Sequence, residues 1–219
     1  CSLIDRGDGY WGRDHADNDG IPPDNTKRST FGVYPVGGRF DDNDGERIRA
    51  GEGLTGAGIW PIMMDSFVYF MRAEAALYLG TSDDAAAMLE QGMRSSLNTV
   101  INFLPNPGDF NNTADAADVN AYVTGVMTSY MNAANDDERM EIIGKEYWLA
   151  MYGNGVEGYN LYRRTGAPGN LQPTLLGTGS FPRSFLYPSN TVDRNLNITQ
   201  KPGLTEQVFW DNNPSGFIQ

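Results

Sequence analysis

Between Pro61 and Arg164 apolar side chains recur at helical spacing with little interruption, and this periodicity restricts the chain to a helical core. The cleanest stretch is Val119, Tyr122, Val123, Val126, Met127, Tyr130 and Met131, separated by steps of three, one, three, one, three and one. Such a row makes one stripe on a helix and no consistent face on a strand. Ahead of it, Pro61 is placed to open a first helix whose stripe runs through Met63, Met64, Phe67, Val68, Phe70, Met71, Ala75, Leu77 and Tyr78 to Leu79, stopped by Gly80. Thr81 or Ser82 then caps a second helix with Ala85, Met88, Leu89, Met93, Leu97, Val100 and Ile101 inward and Asp83 and Asp84 in its first turn. So short a turn forces the two helices antiparallel. After the loop at Pro105 to Gly108 comes the third helix. Asn135 or Asp136 starts a fourth, with Met140, Ile143, Tyr147, Ala150 and Met151 inward and a Glu141 to Lys145 pair outward, and a short fifth fits Val156 to Arg164. The run Met71 to Gly80 with the following turn has the small-residue pattern of a tetratricopeptide-like helical pair, although no strict period repeats.

The flanks read differently. Glycines interrupt every helix that residues 1–60 might start, the Ile21 to Asn25 segment is a turn, and only Thr30 to Val36 looks extended. Beyond residue 167 the chain is again loop-like, with a short strand expected at Gln207 to Trp210. With 40% hydrophobic residues in 219, the chain can bury a sizeable core. Its 28 acidic against 16 basic residues give a net charge of −12, which argues against nucleic acid and anionic lipid surfaces as partners. A single cysteine, Cys1, excludes an intrachain disulfide and a cysteine-based zinc site. Cys1 followed by Ser2 reads either as an acylated mature N-terminus or as an internal residue at which the chain merely begins, and the second reading is preferred because a family motif follows almost at once. No apolar run approaches the roughly 18 residues that span a bilayer.

The stretch Lys145 to Pro168 joins two helical segments through Gly153-Asn154-Gly155, carries five aromatics and the adjacent Arg163 and Arg164, and stops at Gly166-Ala167-Pro168. It resembles the closing helical signature of the SusD/RagB family of outer-membrane nutrient-binding lipoproteins of Bacteroidota. Tyr10 to Asp24 and Gly32 to Phe40 resemble the loop preceding the last helical pairs in one SusD-like subfamily, and Pro182 to Asn190 with Val208 to Asp211 resemble the C-terminal signature. The match runs in order over about residues 9–211. What it implies is a mainly α fold of tetratricopeptide-like helical hairpins with long irregular loops, SusD-like. The chain would be the C-terminal part of one domain, with a loop-rich segment at 1–60, hairpins at 61–166 and an irregular segment at 167–219. The function implied is capture of oligosaccharides or peptides at the outer surface for a SusC-like TonB-dependent transporter. Anchoring would be by lipid through the full-length protein's N-terminus, without catalysis. A helical-repeat scaffold binding only protein is the alternative, and a glycoside hydrolase accessory or catalytic domain is a third reading.

The residues themselves offer little chemistry beyond binding. The lone histidine, His15, lies between Asp14 and Asp17 and reads as a loop imidazole rather than a catalytic base. Asp17 to Gly20 and Asp42 to Gly45 each mimic half of a calcium loop, but neither has the closing glutamate. No cofactor is therefore expected, with weak calcium binding as the one alternative. Glu146 and Glu157 flank the Gly-Asn-Gly break and read as buried ion-pair partners of Arg163 or Arg164. Tyr122, Tyr130, Tyr147 and Tyr159 fall on helix faces and read as packing. Tyr10, Trp11 and Trp60 lie outside any amphipathic face and form the expected ligand platform, with Arg13, Asp14 and Asp17 adding polar contacts.

Overall fold

The computed structural model describes residues 28–29, 34–35, 40–41, 58–103, 114–177, 179–214 and 216–217. Five helices make the body: α1 (Asp65–Leu79), α2 (Ala85–Asn102), α3 (Ala116–Asn132), α4 (Asp136–Ala150) and α5 (Gly155–Thr165). A short α6 (Ser189–Arg194) follows in the tail, and β1 (Arg28–Ser29) pairs antiparallel with β2 (Phe40–Asp41). The mainly α, hairpin-built fold expected from the periodicity is the one observed.

Local chemistry sets the helix ends. Gly80 closes α1 in the left-handed region at φ 63°. Asp84, not Thr81 or Ser82, caps α2 by accepting from the Ala86 and Ala87 amides, while Asp83 is drawn off by a 2.6 Å ion pair to Arg72 of α1. Asp115 and Asp118 form a reciprocal capping box on α3. Asn135 caps α4 by accepting from Glu138 N–H, and the Glu138 carboxylate reaches back to the Ala134 amide. The first helix starts four residues later than expected: Pro61 is buried outside it, and Met64 is the N-cap.

α1 packs most extensively on α2, α4 lies across both, α3 sits against α2 and α4, and α5 leaves from α4. Phe67 and Phe70 of α1 are fully buried, and Tyr147 of α4 stacks on Phe70 with centroids 5.3 Å apart and tilts against Phe67 at 5.7 Å. Met88, Leu89 and Met93 of α2, Val123 and Tyr130 of α3, and Met140, Ile143, Ala150 and Met151 around α4 complete this core. Close approach of α2 to α1 requires Gly92, because a Cβ there would lie 3.0 Å from the Phe70 ring. At the other end of the core a Cβ on Gly144 would lie 2.5 Å from the Ala167 Cβ, so α4 meets the turn after α5 almost backbone to backbone.

The expected stripes are wider than the buried ones. Every residue expected inward on α4 is buried, but Val68, Tyr78, Leu79, Val100, Tyr122 and Met131 are exposed. Each helix here touches neighbours over only part of its apolar arc. Within the stretch Thr30 to Val36, read as extended, Tyr34 and Pro35 form a turn, and the rest of that stretch lies outside the described residues. Gln207 to Trp210 is not a strand but leads into a turn closed by Asp211 N–H to Val208 O at 2.9 Å. α6, within the stretch read as loop, begins directly after Pro188, where a fixed φ suits a helix entry. The loop at Pro105 to Gly108 lies outside the described residues.

Candidate functional site: an aromatic cleft at the helix break

The Gly153-Asn154-Gly155 break turns the chain from α4 into α5, and Asn154 organises it. Its side-chain oxygen caps α5 by accepting from the Glu157 amide at 3.1 Å, while its amide group donates to the Pro61 and Ile62 carbonyls at 2.8 and 3.2 Å. Gly153 adopts φ 89°, and a Cβ there would meet Pro61 and Tyr34 at about 3.4 to 3.5 Å. The 59–62 segment is thus docked on the break, and Ile59 N–H donates to Tyr34 O at 2.7 Å.

Between the break and the start of the tail lies a cleft of about 480 Å³. Its aromatic walls are Trp148 from the last turn of α4, Tyr152 from the turn that follows, Tyr159 and Tyr162 from α5, and Phe181 from the tail. Three of the rings hold one another in place: Phe181 stacks on Tyr159 at 5.3 Å and meets Tyr162 edge-on at the same distance, and the Tyr159 hydroxyl donates to Pro182 O. Trp148 lies along α5 at Gly158, where a Cβ would stand 3.9 Å from the indole. Trp148 is 39% exposed, so part of its ring remains available at the surface. A cleft of this size, mostly apolar with a few hydroxyls and backbone groups, suits a ligand with flat C–H faces and a polar rim.

The charged residues around the break are not arranged as the sequence suggested. Arg164 forms a two-pronged pair with Glu74 of α1, both contacts at 2.8 Å, tying α5 to the first hairpin. Glu146 is 5% exposed and takes a 2.7 Å hydrogen bond from the Tyr122 hydroxyl of α3. Burial pushes the Glu146 carboxyl above the usual range and the Tyr122 phenol upward as well. Burial likewise raises Tyr147 to about 12. Glu157 pairs with neither Arg163 nor Arg164; it accepts a long 3.4 Å bond from Asn160. Glu141, expected to pair with Lys145, instead accepts from the Gly169 amide at 2.8 Å. Of the expected ion pairs none forms: Arg164 takes its carboxylate from α1 and Glu146 its donor from α3, which spacing along α4 and α5 cannot show.

Of the expected ligand platform, Trp60 is 79% exposed on the segment docked by Asn154. Tyr10, Trp11, Arg13, Asp14 and Asp17 lie outside the described residues, as do His15, Cys1 and both calcium-like loops. Among the described residues no cluster of three acidic, histidine or cysteine side chains could hold a metal ion, and no helix is long and apolar enough to cross a membrane. Trp148, Tyr152 and Phe181 do not stand out in the sequence as ligand residues. The usable signal is Tyr147-Trp148, adjacent rings on a helix that cannot both face the core.

A family model described as "SusD-like: Susd and RagB outer membrane lipoprotein" matches residues 55–199. Similar solved structures include a Bacteroidetes AC2a SusD-like protein, 25% identical over 55% of this chain and 23% of that one, with a TM-score of 0.43. A SusD homologue from Bacteroides fragilis is 21% identical over 61% of this chain and 29% of its own, with a TM-score of 0.50. A chitin-binding protein is 24% identical over 68% and 33%, with a TM-score of 0.51, and these last two share the fold. No curated protein matches the chain. The chain spans no more than a third of the length of each of these solved structures. With helical hairpins, the break at Gly153 to Gly155 and the start of the tail on α5 all inside the matched region, the chain belongs to the SusD-like family of SusD and RagB outer membrane lipoproteins.

Proposed function

We propose that this chain serves a nutrient-binding protein that captures oligosaccharides, with the aromatic cleft at the α4–α5 break as a contact surface. The observation that carries the reading is the wall of Trp148, Tyr152, Tyr159, Tyr162 and Phe181, in which Tyr159, Tyr162 and Phe181 are already packed ring on ring before any ligand arrives. Sugar rings present apolar C–H faces to flat aromatic groups, and a wall already in its final rotamers loses little entropy on binding. Membership of the SusD-like family supports the same role. In the whole protein, bound glycan would pass to a SusC-like TonB-dependent transporter. The protein would be lipid-anchored at the cell surface, with Trp60 and the Tyr10, Trp11, Arg13, Asp14 and Asp17 loop contributing further contacts. Binding and release, not bond cleavage, is the activity proposed.

The test is calorimetry of the chain against chitin, starch and xylan hexasaccharides and a mixed hexapeptide, chitin fragments coming first because a structural neighbour is a chitin-binding protein. At least one hexasaccharide should give saturable heat, and Trp148→Ala should weaken it by about tenfold, equivalent to ~1.4 kcal/mol. Absence of heat with every glycan, or binding to the peptide alone, would overturn the saccharide reading. Release of new reducing ends would overturn the absence of catalysis.

A further inference from the structure

On the opposite side of α5 lies a second cleft, of about 450 Å³, with a different chemistry. At about 100° per residue, Gly155, Gly158, Tyr159 and Tyr162 occupy the face turned to the aromatic cleft, while Glu157, Asn160 and Arg164 fall on the reverse face and Arg163 at its edge. Trp210, Asp211, Asn212 and Asn213 of the tail close this second cleft from the other side.

The tail segment is held rigidly there. Arg183, almost fully buried, pairs with Asp211 at 2.7 Å and donates to the Asn213 and Pro214 carbonyls at 2.6 and 3.0 Å. The Asn213 amide donates to the last-turn carbonyls of Arg163 and Arg164 at 2.9 and 3.3 Å, joining the segment to the end of α5. Just before these anchors Trp210 stands 61% exposed, in edge-to-face contact with its exposed neighbour Phe209 at 4.5 Å.

The polar groups around Trp210 divide into two sets. Arg164 is paired through two donors with Glu74, and Asp211 and Arg183 with each other and with the 213–214 backbone. Among the described residues, the Arg163 guanidinium, whose charge helps to lower the Asp211 carboxyl, and the Asn212 amide have no hydrogen-bond partner, and the Asn160 and Glu157 side chains share one 3.4 Å hydrogen bond. What remains free is a flat ring, a fork of donors, two amides that both donate and accept, and one carboxylate. Hydroxyls need donors and acceptors together, and a sugar's C–H face needs the ring. A polyanion would need an excess of positive charge, whereas the two guanidiniums that line the cleft, Arg163 and Arg164, are matched by two carboxylates, Glu157 and Asp211. We infer that the Trp210 cleft is a second saccharide subsite, selective for a neutral hydroxyl-rich glycan, in which Trp210 stacks and Arg163, Asn160, Asn212 and Glu157 bind hydroxyls. The inference rests on the saccharide reading above but on residues that the first cleft does not use.

The experiment measures binding of chitin, starch and xylan hexasaccharides, and of a hexagalacturonate as the anionic probe, to the unaltered chain and to Trp210→Ala, Arg163→Gln and Trp148→Ala. Far-UV circular dichroism and melting confirm folding, which the exposed Trp210 should not affect. The expected result is about a tenfold loss of affinity with Trp210→Ala, and a smaller loss with Arg163→Gln, for the neutral glycan that binds. If Trp148→Ala weakens binding while Trp210→Ala and Arg163→Gln stay within twofold of the parent, the second subsite is refuted and the saccharide function stands. Preference for hexagalacturonate refutes neutrality, and failure of every glycan removes both conclusions.

Discussion

Replacing Gly144 with alanine tests the contact that sets the position of α5 and hence of both clefts. Gly144 sits mid-way along α4, and its missing side chain lets Ala167 approach until a Cβ would stand 2.5 Å from the Ala167 Cβ and 3.3 Å from its carbonyl carbon. Ala167 cannot easily retreat. It is buried, the Gly166 amide bonds to Tyr162 O, the Thr165 hydroxyl accepts from the Ala167 amide, and the Gly169 amide is held by Glu141. Alanine in place of glycine inside a helix gains about 0.8–1 kcal/mol, whereas forcing extra volume into a packed contact costs roughly 1–3 kcal/mol. Gly125 of α3 supplies the matched control, since no described atom lies within 4 Å of where its Cβ would stand and only the propensity gain should appear. The difference between Gly125→Ala and Gly144→Ala is therefore expected to be about 1–3 kcal/mol. Urea unfolding, read as midpoint shifts at constant slope, resolves such a difference, and melting should separate the two by roughly 2–12 °C in a chain of this size. If Gly144→Ala stabilises the protein as much as Gly125→Ala does, α4 and the 165–168 turn do not meet as closely as described, and the placement of α5 fails with them.

Tyr122→Phe should cost roughly 1–3 kcal/mol, because it leaves the buried Glu146 carboxylate without its donor. The folded Glu146 pKa lies above its unfolded value, so its contribution to stability is full below the ordinary carboxylate pKa and is lost as pH rises through the folded value. Glu146→Gln should flatten that decline, and an unchanged slope of urea midpoints between about pH 4 and pH 8 would contradict it. Asn154→Ala removes the α5 cap and two bonds to the 61–62 segment, a loss of roughly 2–3 kcal/mol. Hydrogen exchange at the Ile59 amide should quicken at the same time; an unaltered rate would show that Asn154 does not secure the segment carrying Trp60. Arg183→Met should free residues 211–214 for early cleavage in limited proteolysis while helix content holds, and an unchanged digestion pattern would argue that the tail is secured elsewhere.

Residue pattern along the chain suffices for the five helices of the body, apart from the start of α1, and for their buried centres. Met140, Ile143, Tyr147, Ala150 and Met151 are legible because one face of α4 is buried along its full length, and Gly80, Asn135 and Gly166 are legible as ends because caps act within a turn of themselves. Packing supplies what local pattern cannot carry. Exposure of Tyr122 and Met131 depends on how much of α3 its neighbours cover, and Arg164 pairs with Glu74, ninety positions away, rather than with the nearby Glu157. The two clefts are of the same kind. Trp148 with Phe181, and Arg163 with Trp210, come together only because the tail folds back along α5, anchored by Arg183 and Asn213. Periodicity reports the face a helix turns inward; which distant segment arrives on its other faces is set by packing and by hydrogen bonds that close only in the folded chain.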